Sequence, residues 1–364
     1  MAAIYGSRRL VDLAVPSGID GAALAKFDLQ DGTSILDVVN RALVSIEGIN
    51  SELMANQWMA NMTYRTTDRT VMYPDGSSAN EMQTHTEFSL PREERGAVEG
   101  HMAPRNKRDA GLAWTWDYLN DAIMPQIDSD LQRAVEQVRN SFEKAALTRV
   151  FSSTHNTVET SGYDVGLADG NASTVIWEPL AYDGQTFAST HTHYNEDATL
   201  NLATTLRPTV THLKEHGHKP PFLLMAALAD QATYVALDEF TARAASYIKY
   251  GTTQDLAMID DDFLGVIDVD GDGVLVKLSY RIPTTYGFMF KPYGANSPRN
   301  PLRWWYNPKF GPGAVLLKGK SYREFPVEGA MIYAEYGFTG GTDRTNGAAF
   351  EIATGGTYTV PTIN

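Results

Sequence analysis

Five of the eight histidines in this sequence lie between His191 and His218, and their types and spacing could support metal chemistry. His191 and His193 stand one residue apart in the stretch DGQTFASTHTHYNED, so on a strand both side chains would lie on one face. A catalytic zinc ion still needs a third protein ligand and an open coordination position. This pair alone is therefore an incomplete metal site.

A second pair of histidines has the spacing of ligands on one helix. His212 and His216 are four residues apart in HLKEH, as in the HExxH motif of zinc proteases. That motif has a glutamate in second place as the general base, but Leu213 stands there and Glu215 comes one place before the second histidine. Because the residue that would do the chemistry is missing, the pattern favours surface or capping histidines over a catalytic metal.

Acidic residues in DVDGDG match the first half of a calcium-binding loop. Asp268, Asp270 and Asp272 occupy its positions one, three and five, and Gly273 its position six. The twelfth position should be a bidentate glutamate, and it is Ser279 here. A hairpin turn between two strands explains the same residues equally well.

The composition argues against several classes of function. The chain has no cysteine, which excludes disulfides, thiol nucleophiles and thiolate metal sites. Its net charge of −14 offers no cationic surplus for phosphates, and the basic cluster at 105–108 is too short to define a nucleic-acid site. The nucleophile-elbow, phosphate-loop and dinucleotide motifs are absent from the sequence. We therefore expect no enzyme and no cofactor.

Hydropathy gives no sign of a membrane or export segment. No run of eighteen apolar residues occurs, although 43% of the residues are hydrophobic. The first residues lack the apolar core of a signal peptide, so we expect the chain to stay in the cytosol where it is made.

The amino-terminal third of the sequence predicts an arm, a helix and a long hairpin. Residues 1–33 look like an arm, and TSILDVVNRALVSIEG predicts a helix capped by Thr33 or Ser34 and stopped by Gly48. The polar stretch 58–104 predicts a long hairpin that turns at Pro74-Asp75-Gly76. An isolated hairpin is marginally stable in water, so this one needs a surface to lie on.

The rest of the chain has one long helix followed by mixed α and β patterns. A capping box from Ser129 to Gln132 and an apolar stripe predict a helix over about 129–151. After a loop-rich region at 152–205 come a short helix with Pro208 near its start and Gly217 after its end, and the buried strand PPFLLMA. The stretch LADQATYVALDEFTARAASYI predicts another helix; a strand–turn–strand unit and a mostly β ending follow.

This order of elements resembles the major capsid (head) protein of tailed bacteriophages, which has the Johnson, or Hong-Kong-97-type, α+β fold. GHKPPFLLMAALADQATYVALD and YAEYGFTGGTDRTNGAAF are similar to its central strand–helix unit and its closing strand. Thr186 and Thr192 depart from the family pattern, which often has leucine and proline there. The pattern D-G-x-x-L-F-S-T-x-H…N-L of that family is matched by Asp183, Gly184, Phe187, Ser189, Thr190, His191, Asn201 and Leu202.

The resemblance covers most of 58–350 and implies a domain layout. An arm and first helix would occupy 1–57, and an extended β-hairpin loop at 58–106 would lie across the next subunit. A peripheral domain with the long spine helix would comprise 107–205 and 326–364, and an axial domain would comprise 206–325. The residues expected to make assembly contacts are Tyr73, Pro74, Asp75, Gly76, Arg92, Glu93, Glu94 and Arg95.

The same resemblance implies a function. The chain would assemble with itself, in groups of five and six copies, into an icosahedral head that encloses double-stranded DNA. Portal, scaffold and decoration proteins would be further partners, DNA would be held weakly, and the virion would be the final location after assembly in the bacterial cytoplasm. The alternatives are the shell of an encapsulin-like nanocompartment, a tail-tube or decoration subunit, and a metal-dependent hydrolase using His191 and His193.

Overall fold

A computed structural model describes residues 29–55, 57–74, 98–115, 118, 121–157, 163–168, 179, 181–182, 191–242, 263–318 and 327–363. The chain divides into two compact units. The first unit comprises 1–55, 106–142 and 307–335, and the second comprises 56–105, 143–306 and 336–364.

Helices and strands alternate along the described residues. The helices are α1 (Ile35–Ala55), α2 (Gln57–Met62), α3 (Met124–Phe151), α4 (Arg207–Glu215) and α5 (Gln231–Val235). A π-helical turn at Leu202–Leu206 precedes α4, and a 3-10 turn at Leu228–Asp230 precedes α5. The strands are β1 (Thr63–Thr66), β2 (Thr70–Pro74), β3 (Val98–Met102), β4 (Asn106–Thr115), β5 (Asn156–Thr157), β6 (Tyr163–Asp164), β7 (Tyr194–Asp197), β8 (Phe222–Ala227), β9 (Phe240–Ala242), β10 (Phe263–Val269), β11 (Asp272–Ser279), β12 (Tyr286–Phe290), β13 (Leu302–Tyr306), β14 (Val315–Lys318), β15 (Val327–Gly340) and β16 (Ala348–Ile352). The predicted α+β class is confirmed.

A seven-stranded mixed sheet forms the centre of the second unit. Its strand order is β7-β16-β12-β8-β11-β10-β9, with parallel pairs at β7–β16 and β8–β11 and antiparallel pairs elsewhere. Every residue of β8 is buried, as the apolar run PPFLLMA predicts for a strand covered on both faces. The helix α4 packs Val210 and Leu213 into the core of this sheet.

The smaller sheets bring distant parts of the chain together. Five strands form a second sheet in the order β1-β13-β15-β14, with β4 also paired to β15, while β2–β3 and β5–β6 form two-stranded ribbons. The parallel pair β1–β13 joins Thr63 to Leu302, so residues far apart in sequence share one ladder.

The long helix α3 begins earlier than its sequence pattern predicts. It starts at Met124, not Ser129, and Pro125 lies in its first turn, where a missing N–H costs nothing. The Met124 N–H donates to the Asp31 carboxylate at 2.8 Å, so a distant side chain caps this end. The predicted apolar stripe is buried, including Leu131, Val138 and Phe142.

Two other helices end at different residues from those that the sequence predicts. α1 passes through Gly48 to Ala55, because Ile49 and Leu53 continue its buried stripe and their packing outweighs the roughly 1 kcal/mol cost of a helical glycine. The helix predicted from Leu228 onward ends at Val235, and the chain then forms β9 beside β10. By contrast, α4 ends just before Gly217, which has the positive φ of +81° expected of a helix terminator.

The largest difference between prediction and structure concerns the turn of the hairpin predicted for 58–104. Pro74 lies within β2 and pairs with Val98, so the ladder does not close at Pro74-Asp75-Gly76. The described ends of 58–106 pack on their own chain, because β1 joins the second sheet and Val71 on β2 is fully buried. Residues 75–97 lie outside the described part of the chain, so their reach toward a neighbour stays a prediction.

Among the described residues, no helix combines the length and apolar character needed to cross a lipid bilayer.

Candidate functional site

Four histidines from two separate segments meet beside the seven-stranded sheet. His191 and His193 precede the edge strand β7, while His212 lies on α4 and His216 directly follows it. The parallel pairing of β7 with β16 holds the first segment, and the buried face of α4 holds the second. The two histidine pairs of the sequence therefore form a single cluster, which we call the histidine cluster.

The imidazole rings of this cluster are closely spaced. The centroid of His191 lies 5.2 Å from that of His193, 4.7 Å from that of His212 and 5.2 Å from that of His216. The centroid of His193 lies 5.7 Å from that of His212 and 5.0 Å from that of His216. Potential ligand atoms of His191, His193 and His216 lie within 4.8 Å of one another, as do those of His191, His212 and Glu215.

The backbone fixes His193 in one orientation. Its backbone N–H donates to Ala168 at 2.9 Å, and its carbonyl oxygen accepts from Ala349 at 2.8 Å. Its Nδ1 atom lies 2.6 Å from the carbonyl oxygen of Gly347 and must donate to it. In the neutral ring Nε2 then carries the lone pair, and this buried atom has no hydrogen-bond partner among the described residues.

Burial favours the uncharged form of three of these rings, those of His191, His193 and His212. Burial, followed by the neighbouring His216, holds the pKa of His193 well below its usual value. Burial, with a smaller contribution from His191, lowers the pKa of His212 to about 4, and burial also lowers the pKa of His191. Burial raises the pKa of Glu215, whose carboxylate lies 3.6 Å from His191 Nε2. Neutral imidazoles are the form that binds metal ions.

His218 is the fifth histidine of the stretch, and it has different contacts. Its Nδ1 lies 2.8 Å from the Tyr293 hydroxyl and its Nε2 lies 3.0 Å from Thr345 Oγ1. Both ring nitrogens therefore have hydrogen-bonding neighbours in the second unit, which makes it a structural core histidine.

The acidic stretch forms a tight turn between β10 and β11. Asp270 and Gly271 are its two central residues, with φ of 54° and 90°, and Val269 pairs with Asp272. The predicted strand–turn–strand unit is confirmed, with the two-residue turn that favours Asp-Gly. Asp270 binds Arg207, Asp272 accepts from Lys214 at 2.7 Å, and Asp268 caps the Gly271 N–H at 2.7 Å.

These aspartates belong to none of the potential metal-binding groups found among the described residues. The calcium interpretation of Asp268, Asp270 and Asp272 gains no support from their contacts, since each carboxylate has a protein partner.

Of the residues expected at assembly contacts, Tyr73 has its side chain described. It is 6% exposed, stacks on His101 at 5.7 Å between ring centroids, and lies under the Arg344 guanidinium. Tyr73 thus packs within its own chain, and its role in contacts between copies stays a prediction. The backbone of Pro74 belongs to β2, while Asp75, Gly76, Arg92, Glu93, Glu94 and Arg95 lie outside the described residues.

Comparison of the whole fold with solved structures identifies its class. A chain from Mycobacterium phage Patience aligns with a TM-score of 0.63 and 18% identity, over 93% of this chain and 94% of that chain. This chain has the fold of a tailed-phage major capsid protein. Its capsid fold is the Hong-Kong-97-type fold that the sequence resemblance predicts, and that prediction is confirmed.

Two solved capsid structures align less closely with this chain. A chain of the bacteriophage PhiM1 mature capsid has a TM-score of 0.47 and 9% identity, over 80% of this chain and 85% of that chain. A chain of the capsid of a native GTA particle has a TM-score of 0.46 and 9% identity, over 82% and 89% of the two chains. No protein-family model and no curated protein sequence matches the chain.

The histidine pairs are visible in the sequence, but their meeting is not. His212 lies on α4 and His216 directly follows it, four residues later, and His191 and His193 are near neighbours in sequence. Only the placement of α4 beside the segment before β7 brings the pairs together, and no local pattern encodes that approach.

Proposed function

We propose that the protein is the major subunit of a closed icosahedral shell, the head of a tailed phage that encloses double-stranded DNA. The observation that carries this proposal is the capsid fold shared along nearly the whole chain with the Mycobacterium phage Patience structure. The subunit acts by binding copies of itself, in rings of five and six, and has no catalytic role.

Exposed apolar side chains at one end of the seven-stranded sheet support self-association. Ala227 pairs with Ser279, so Leu228 and Tyr280 leave the paired strands β8 and β11 at the same end. Leu228 is 50% exposed, Tyr280 is 74% exposed, and Val235 on the adjoining α5 is 48% exposed. Exposed apolar groups that cluster in this way mark protein–protein contacts. We assign Leu228, Val235 and Tyr280, named here the apical patch, to contacts between copies.

The ribbon β2–β3 supplies a second surface of this kind. Its inner face is buried and includes Val71 and Tyr73, while its outer face exposes Met72 and Met102. The segment 75–97 continues from this ribbon and is the part that we expect to reach the next subunit. Repetition of modest contacts around a closed shell gives the assembly its stability through avidity.

The charge of the chain suits a container for DNA. A net charge of −14 disfavours tight contact with phosphates, so packaged DNA is enclosed without being held. Portal, scaffold and decoration proteins are further expected partners, and the virion is the expected location.

The proposal is tested by expressing the chain in bacteria and examining the product by negative-stain microscopy and analytical ultracentrifugation. Closed shells are expected from the unaltered chain. Leu228→Asp combined with Tyr280→Asp should give folded subunits with an unchanged thermal melt but no closed shells, because a charge in a buried contact is costly. Gln132→Asp, a charge added at an exposed site on α3, should leave assembly intact.

Three outcomes would contradict the proposal. A monomer under all assembly conditions would exclude a shell subunit, and open tubes would indicate a tail-tube protein. Shells that co-purify with a protein cargo would indicate a nanocompartment instead of a phage head.

A further inference from the structure

We propose that the histidine cluster binds one Zn²⁺ ion, which ties the segment before β7 to α4. This site goes beyond shell formation, and its role is structural: the ion joins two segments that no described strand pairing connects directly. His191, His193 and His216 are the assigned ligands, because their potential ligand atoms lie within 4.8 Å of one another.

The ring spacing fits a tetrahedral ion. Zinc binds imidazole nitrogen at about 2.0–2.1 Å, so rings around one tetrahedral ion have centroids about 5 Å apart. The three centroid separations among the assigned ligands range from 5.0 Å to 5.2 Å. Two rings that merely stack could show one such distance, but three mutual separations near 5 Å between rings from two separate segments favour a common partner.

The second and independent observation is the buried lone pair of His193. The side chain is fully buried, and its Nδ1–H is used by the Gly347 carbonyl, so Nε2 points its lone pair at no described donor. A buried polar atom without a partner destabilises the folded state, and a bound ion would remove that cost. A backbone carbonyl that holds the other ring nitrogen is the usual second contact of a metal-binding histidine.

The Nε2 atoms of the other two assigned ligands are also buried. The Nε2 atoms of His191, His193 and His216 are all buried from solvent. Each therefore lies where a bound ion would be protected from water.

The donor set selects the kind of metal. Imidazole nitrogens suit Zn²⁺ and its transition-metal neighbours, whereas Ca²⁺ and Mg²⁺ need sets of oxygen ligands. Glu215 is the one carboxylate in the potential metal-binding groups, and it lies in the group with His191 and His212. Because the chain has no cysteine, the site has no thiolate ligand and offers imidazole nitrogens, with the Glu215 carboxylate beside them.

The test uses the full chain prepared without a histidine tag and kept as unassembled subunits. The protein is stripped with EDTA, dialysed, reloaded with ZnCl₂ and desalted, and bound zinc is measured by elemental mass spectrometry. We expect one zinc per chain. Zinc should also raise the melting temperature by about 5 °C or more, because an ion that binds only the folded state stabilises it. Loading with Co²⁺ should give the intense visible absorption of a tetrahedral site.

Variants place the ion on the assigned residues. His191→Ala and His193→Ala should each lower bound zinc at least tenfold and abolish the zinc-dependent rise in melting temperature. His191 is partly exposed, so its variant folds even if the fully buried His193 does not tolerate alanine. His218→Ala removes a buried histidine outside the cluster and should keep full zinc binding.

Clear results would overturn the site. Less than a tenth of an equivalent of zinc in the reloaded chain, or equal zinc in the His191→Ala and unaltered proteins, would exclude it. If the His218→Ala protein lost as much bound zinc as the His191→Ala protein, zinc binding would depend only on general folding and not on the assigned ligands. Shell formation is measured separately by microscopy, so failure of the zinc site leaves the proposed shell function untouched.

Discussion

Buried histidines in this protein differ in what surrounds their ring nitrogens. His218 contacts two hydroxyl groups, whereas His193 contacts one carbonyl and keeps a buried lone pair. His101 is a third type, since its Nε2 lies 3.1 Å from Thr339 Oγ1 within reach of two arginines. Burial, and then the charges of Arg344 and Arg303, lower the pKa of His101 to about 3.

His101 should make stability depend on pH. The folded state holds the neutral ring, while the unfolded chain takes up a proton below the ordinary pKa of 6.5. The contribution of His101 to the free energy of unfolding is therefore fully present above pH 6.5. It falls by up to about 1.4 kcal/mol per pH unit as the pH drops toward 3. His101→Gln removes this dependence. Urea unfolding at pH 6.5, 5.5 and 4.5, with EDTA present, should show a shallower decline for the variant.

The comparison has a packing control. Tyr73→Phe changes the ring stacked on His101 without removing the titrating group, so its pH slope should equal that of the unaltered protein. Equal slopes for His101→Gln and the unaltered protein would show that the ring titrates normally in the folded state.

At the scale of elements, the long helix α3 is held by a buried apolar stripe and by a cap at its start. Leu131 and Phe142 are 3% and 1% exposed, and the helix extends past its predicted start because Asp31 caps Met124 from elsewhere in the first unit. A charge on this stripe should prevent folding, while a charge on the exposed side should be tolerated.

Phe142→Asp is expected to lower the free energy of unfolding by about 4 kcal/mol or more, through lost packing and a buried carboxylate. Leu131→Asp should act in the same way. Circular dichroism and the soluble yield measure the effect, and Gln132→Asp on the exposed side is the matched control. Melting temperatures within a few degrees for the Phe142→Asp and Gln132→Asp proteins would contradict the buried stripe.

For the whole molecule, folding and assembly should separate at the ribbon β2–β3. Pro74 pairs with Val98, so the described ladder could be closed by a two-residue turn. A deletion that starts earlier, such as one of residues 66–84, would also remove β2 and the buried Val71. Folding itself would then fail.

Replacing 75–97 by Asn-Gly should therefore keep the subunit folded and abolish closed shells. The thermal melt should stay within a few degrees of the unaltered protein, and microscopy should show free subunits or single rings. Asp270→Asn, a change in the turn of another hairpin, should leave shell formation intact. Normal shells from the 75–97 replacement would refute the role of this segment in joining neighbours.

Local patterns in the sequence determined the elements that depend on short-range turn chemistry or on a strongly periodic arrangement of apolar residues. The buried strand β8, the helix α4 between Pro208 and Gly217, the turn at Asp270-Gly271 and the stripe of α3 follow from hydrophobic period and turn chemistry. The order of these elements, with the motifs near His191, was also enough to indicate the capsid fold.

Tertiary structure alone decided where elements end and which of them meet. α1 passes Gly48, α3 begins at Met124, and β2 pairs with Val98 because distant side chains and strands contribute contacts that no local pattern contains. The histidine cluster arises for the same reason: two pairs that mean little separately are brought within ligand distance only by the packing of α4 beside the segment before β7.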